Sequence, residues 1–233
     1  MSDLLVPGHV GPLIAITLST VVLVVAARRR PGQWLKVFAL VLVVDEVSWW
    51  VFMAAGGGEP AQRAQPLPFQ LCDMAIFVAA AALWTRQPLL VEVTYFWALA
   101  GTIQALLTPA LPQPFPTYPW FQYYIAHGGV VAAALMLVFG MRIHPRRWAV
   151  AWVAAITIAY AAFIGLVDAI TGADYMFLRA KPPSPTLLDV LGPWPWYLLS
   201  ATALGVVLFA VLDAPFWPTR LAAVSSVRRH SDV

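Results

Sequence analysis

Few residues of this 233-residue chain are charged: Asp, Glu, Lys and Arg make up 11%, while 61% are hydrophobic. Soluble globular domains carry roughly 25% charged residues, so a water-soluble fold of this composition is excluded. Cysteine occurs once, at Cys72, which rules out an intrachain disulfide and any cysteine-based metal cluster. Histidine occurs four times. Three of these, His9, His144 and His230, fall at or beyond the ends of the apolar blocks, so a multi-histidine zinc site is not expected, and the sequence calls for no metal or other cofactor. The apolar residues do not alternate with polar ones, which excludes a membrane β-barrel. There is no Gly-Lys-Ser/Thr phosphate loop, serine elbow, dinucleotide fingerprint or internal repeat.

The apolar residues form blocks of about twenty, the length a helix needs to cross about 30 Å of hydrocarbon. The spans drawn from them are 10–27, 34–55, 69–85, 90–110, 120–140, 148–170 and 194–214, separated by Pro, Gly and Arg signals. The expected fold is an all-α, polytopic bundle of seven transmembrane helices. It forms one domain over residues 1–214, followed by a short basic tail, 215–233. Met1 to Gly8 carry no Lys or Arg, so the first block reads as a retained helix rather than a signal peptide.

With seven crossings, one side of the membrane receives Arg28, Arg29, Arg30, Lys36, Arg86, Arg142, Arg146, Arg147, Arg220, Arg228 and Arg229. The other receives only Arg63, Arg179 and Lys181. Basic residues collect on the cytoplasmic side, so the N-terminus is expected outside and the C-terminus inside a cell membrane. The net charge of +3 is thus a topology signal and not a nucleic-acid patch. Trp34, Trp84, Trp120, Trp148, Trp194 and Trp196 fall at span ends, as interfacial aromatics do.

Ionisable groups inside spans are costly and point to function. Counted from the outer ends at 1.5 Å per residue, Cys72 and Asp73 lie about 5 Å down, Gln104 about 9 Å, His127 about 10 Å, and Asp45 and Glu46 about 14 Å. Asp168 lies nearer the outer surface, and Glu92 lies toward the cytoplasmic side. A thiol becomes nucleophilic beside a base, and an imidazole oriented by a carboxylate supplies one. Cys72 and His127 therefore suit acyl transfer through a thioester, with Asp73 or Asp168 orienting the imidazole and Gln70 or Gln104 stabilising an oxyanion. Asp45 and Glu46 point about 100° apart on one helix, with Trp49 and Trp50 four residues on to cover them. Two other classes fit these residues: a proton-coupled transporter relaying through Asp45, Glu46, His127 and Asp168, and a non-catalytic lipid-binding protein.

Two stretches resemble a known family. Pro68-Phe69-Gln70-Leu71-Cys72-Asp73 is similar to the Pro-x-x-Leu-Cys-Asp/Gly signature of the YwaF-like integral membrane proteins. The run from Gly172 to Leu178, with Lys181-Pro182 and Leu191 to Tyr197, is similar to that family's last outer loop, although Asp174 stands where Asn is expected. The family is grouped with eukaryotic transmembrane protein 164, an acyltransferase acting on phospholipids. The resemblance implies Cys72 as acyl-carrying nucleophile, His127 as its base, and membrane phospholipid or lysophospholipid substrates. Asp174 and Tyr175 are the expected mouth of the site.

Overall fold

A computed structural model describes residues 7–63, 65–109, 113–182, 186–218 and 220, and among them there is helix and no strand. The helices are α1 (Pro7–Arg29), α2 (Trp34–Ala54), the one-turn α3 (Pro60–Arg63), α4 (Leu71–Thr85), α5 (Pro88–Leu107), α6 (Tyr118–Gly140), α7 (Ala149–Thr171) and α8 (Trp196–Asp213). Six of them, all but α3 and α4, are long and apolar enough to cross a membrane. α4 has 15 residues, about 22 Å of helix, so the expected third span is shorter than a full crossing. Met1 to Val6, and residues 219 and 221–233 of the tail, lie outside the described residues.

Local chemistry sets the helix ends. Pro88 opens α5 and Pro119 the first turn of α6, where a missing N–H costs nothing. α7 ends at Gly172 (φ 80°), whose N–H returns to the Asp168 carbonyl at 2.9 Å. Successive helices run in opposite directions, as the contacts at their ends show. At the Arg-rich end, hereafter the basic end, Lys36 of α2 lies over the Trp84 ring of α4, and Tyr95 of α5 donates to the Leu212 carbonyl of α8 at 3.1 Å. At the far end, Gln70 reaches Met176, and His9 of α1 meets Tyr124 of α6 at 3.0 Å.

α5 and α6 are mostly buried and form the centre with α4, whose Ala75, Ala79 and Ala82 are almost fully enclosed. α1 and α2 pack on one side of this centre, while α7 and α8 face outward on the other. Close approach needs glycine on α6. A Cβ at Gly129 would lie 2.3 Å from Leu42 Cδ2, and one at Gly140 would lie 2.9 Å from Ala27 Cβ and 3.0 Å from the Val24 carbonyl oxygen. Small residues let helix backbones meet in this way.

Both central helices depart from α geometry. α5 contains a π-turn at Ala98–Thr102, and α6 ends in one at Met136–Gly140. Each adds a residue to the helical register and rotates the next residues by about 100° about the helix axis.

Candidate functional site

The site forms where the first turn of α4 meets the middle of α5 and α6. The backbone N–H of Gln70 donates to Asp73 Oδ2 at 3.2 Å, which closes the first turn and fixes Cys72 within it. Cys72 is half-buried at the start of α4, with Asp73 next to it in the chain and Glu46 and Thr102 in its surroundings; no hydrogen bond to its sulfur forms among the described residues. The Tyr123 phenol on α6 also lies within electrostatic range of the thiol. His127, one turn further along α6, stacks on Tyr123 with ring centroids 4.2 Å apart.

No hydrogen bond joins Cys72 to His127 among the described residues; Tyr123 lies between their surroundings. The imidazole is oriented by the Tyr123 backbone carbonyl, 2.8 Å from Nδ1, and not by Asp73 or Asp168 as the sequence suggested. A carbonyl only accepts, so Nδ1 carries the hydrogen and the lone pair of the neutral ring sits on Nε2.

Of the expected supporting groups, Asp73 is beside the thiol, but the others are engaged elsewhere. Gln70 accepts from the Met176 N–H at 2.9 Å and donates to Gln65 Oε1 at 2.7 Å, so its amide binds two loops together and is not aimed at an oxyanion. Gln104 is exposed on the outer surface of α5. Asp168 is fully buried, and its Oδ1 accepts from the Tyr175 N–H at 3.0 Å.

The two mouth residues belong to a strap of chain that follows α7. Asp174 accepts from the Arg179 N–H at 2.8 Å. Tyr175 is buried edge-on against Phe69, and its hydroxyl accepts from the Leu67 N–H at 3.0 Å. Burial raises the Tyr175 phenol above its ordinary value near 10, so it stays a neutral hydroxyl. Trp194 donates to the Leu178 carbonyl at 3.1 Å, and Tyr197 to the Phe177 carbonyl. The strap ties the ends of α7 and α8 to the segment leading into Cys72.

Glu46 and Asp45 part company, as their 100° separation requires. Glu46 Oε1 accepts from Trp50 Nε1 at 2.7 Å, while Asp45 Oδ2 faces Gln122 Nε2 at 3.4 Å. At the basic end, Glu92 takes Arg146 in a two-pronged pair, with both guanidinium contacts at 2.8 Å. Asp213, which no motif in the sequence marks, holds Trp217 and Arg220 in the same region. His9 sits at a span end by hydropathy, but α1 starts early enough to take it into the bundle. Thr102 and Tyr123 carry no sequence signal of their own; helix packing places them in the surroundings of the thiol.

The fold defines a multi-pass helical membrane protein. The TMEM164 family model matches residues 4–213, and the chain belongs to that family. It is also similar to an uncharacterized protein of Treponema pallidum (strain Nichols), 27% identical over 159 residues, which cover 66% of this chain and 63% of that protein. No solved structure matches it.

Proposed function

We propose that the chain is a membrane acyltransferase acting on phospholipids, with Cys72 as nucleophile and His127 as general base. The observation that carries this reading is the His127 tautomer. With Nδ1 donating to the Tyr123 carbonyl, Nε2 keeps its lone pair and makes no hydrogen bond among the described residues.

In the first half-reaction Nε2 takes the thiol proton, and the sulfur attacks the carbonyl carbon of an acyl ester. The carbon–oxygen bond breaks, the departing alkoxide takes the proton back from His127, and a thioester remains on Cys72. In the second half-reaction the hydroxyl of a lysophospholipid loses its proton to His127 and attacks the thioester, releasing the thiolate, which regains that proton. The base is thereby restored.

We further infer that α4, with the extended segment before it, makes a seventh crossing of a cell membrane. The basic end would then face the cytoplasm, with the N-terminus outside. The site would lie at the depth of the outer-leaflet ester groups. A transporter reading finds less support, since Glu46, Asp45 and Glu92 are each held by a local partner.

The test is to incubate the purified protein in lipid nanodiscs with phospholipid carrying a labelled acyl chain. A hydroxylamine-sensitive adduct on Cys72, absent from Cys72→Ala and strongly reduced in His127→Ala, is the expected result. A protein that transfers acyl chains with Cys72 replaced would overturn the reading.

A further inference from the structure

A cleft opens between α1 and α2. Residues 30–33 join the two helices at the basic end, and both pack on α6, yet among the described residues they make little contact with one another. Two neighbouring glycines of α6 set this arrangement. A Cβ at Gly128 would lie 2.8 Å from Ile16 of α1, and one at Gly129 would lie 2.3 Å from Leu42 of α2. Successive residues of a helix point about 100° apart, so the pair seats α1 and α2 on different faces of α6. By the same periodicity Phe121, Ile125 and Ala132 point between the two seats, where they form the floor of a cavity of about 850 Å³. Phe121 and Ile125 remain 44% and 47% exposed there, although α6 as a whole is mostly buried. The rings of Phe115, Trp120 and Phe121 cluster at the outer end, with centroids 4.9 Å apart for both contacts of Trp120. The walls are otherwise apolar, and their two hydroxyls are engaged: Ser19 donates to the Ile16 carbonyl at 3.0 Å, and Tyr124 meets His9 Nδ1 at 3.0 Å.

We propose that this cleft binds the acyl chain of a membrane lipid, held lengthwise between α1 and α2 with α6 beneath it. The dimensions choose the occupant. From Gly11 to Leu23 the cleft follows about 18 Å of α1, so its volume corresponds to a mean section of roughly 50 Å². An α-helix with its side chains is about 10–12 Å across and fills roughly 80 Å² or more, so the cleft is too narrow to take a helix from a second copy or another protein. An extended hydrocarbon chain is thin enough and long enough. The surroundings supply it, because α1, α2 and α6 are each long and apolar enough to cross a bilayer and the open side of the cleft faces hydrocarbon. Left empty, the cleft would deprive its walls of dispersion contacts that a methylene chain provides. The site is distinct from the acyl-transfer site. His127 is two residues from both Ile125 and Gly129, about 160° around α6, and its ring stacks on Tyr123. The bound chain wedges α1 from α2 and completes the packing of α6 on the face away from His127.

The full chain is reconstituted in nanodiscs of dioleoylphosphatidylcholine with a trace of phosphatidylcholine carrying a diazirine on its acyl chain. It is then washed into detergent, which strips loosely held lipid, and irradiated, and the adducts are mapped by peptide mass spectrometry. Adducts are expected on Ala15, Ser19, Phe121 and Ile125. Ala15 is exposed to the cleft, so a larger side chain there enters it without displacing a packed neighbour. Ala15→Trp should therefore lose these adducts, whereas Leu18→Trp, at a residue of α1 that is 63% exposed outside the cleft, should keep them. If Ala15→Trp fails to fold, Ser19→Phe carries the same expectation. Adducts no denser in the cleft than at Ile170, which is 76% exposed on α7, would overturn the proposal, as would unchanged adducts in the folded Ala15→Trp or Ser19→Phe protein. So would a dimer in native mass spectrometry that carries no lipid and that Ala15→Trp breaks, because a second copy would then occupy the cleft.

Discussion

Glu46 is 2% exposed, and its one side-chain hydrogen bond comes from an indole four residues along the same helix. Glutamine retains an acceptor oxygen of the same reach, whereas leucine leaves the Trp50 N–H without a partner. Glu46→Gln should therefore melt near the wild type and keep its transferase activity, while Glu46→Leu should lose about 1–3 kcal/mol of stability in a detergent melt. Loss of activity in Glu46→Gln at unchanged stability would return this carboxylate to the relay reading. His127 shows how far a residue can be read alone. Its presence in a span and its approximate depth follow from the sequence, but its hydrogen-bond partner does not. The sequence offered carboxylates to orient the ring, yet the i−4 carbonyl of its own helix does so. Local backbone geometry outcompeted the more conspicuous charged groups.

Two elements carry tests of how the site is held. On α6, a Cβ at Gly140 meets the backbone oxygen of Val24, which cannot move aside, whereas one at Gly129 meets the flexible end of Leu42. Gly140→Ala should thus cost about 1–3 kcal/mol, read as a lowered melting temperature, and more than Gly129→Ala. Asp168 is one of the groups that hold the strap after α7. Its Oδ1 accepts from the Tyr175 N–H, one of several bonds that hold the strap, and its second oxygen, Oδ2, is buried without a hydrogen bond. Asp168→Ala should free the strap and speed trypsin cleavage after Arg179 in the folded protein. Unchanged cleavage would mean that Tyr175 and Gln70 hold the strap by themselves. The odd composition of this loop made it visible in the sequence. That its tyrosine turns inward onto Phe69 was not visible, because contacts between residues about a hundred positions apart leave no local pattern.

At the scale of the whole molecule, the alternation of helix direction is independent of any membrane, and the charges follow it. Arg146 and Arg220 lie with Glu92 and Asp213 at one end, and Arg63 and Arg179 lie at the other. In a Cys72→Ala background, a cysteine placed at Arg147 should react with an impermeant maleimide only after cells are opened, and one at Glu59 should react in intact cells. Both reacting from the same side would sink the seven-crossing topology and leave α4 as a helix that does not traverse the membrane.

The sequence by itself determined the solvent, the class and most helix boundaries, because lipid imposes length and composition on each span separately. It also marked Cys72, Asp73 and His127, since polar groups are conspicuous against an apolar background. Only the tertiary structure decided which of them meet. A π-turn shifts a helix face and a glycine sets the distance between two helices, and neither registers in hydropathy. Tyr123 came to lie against His127, while Gln70 and Asp168 were taken up in holding the strap.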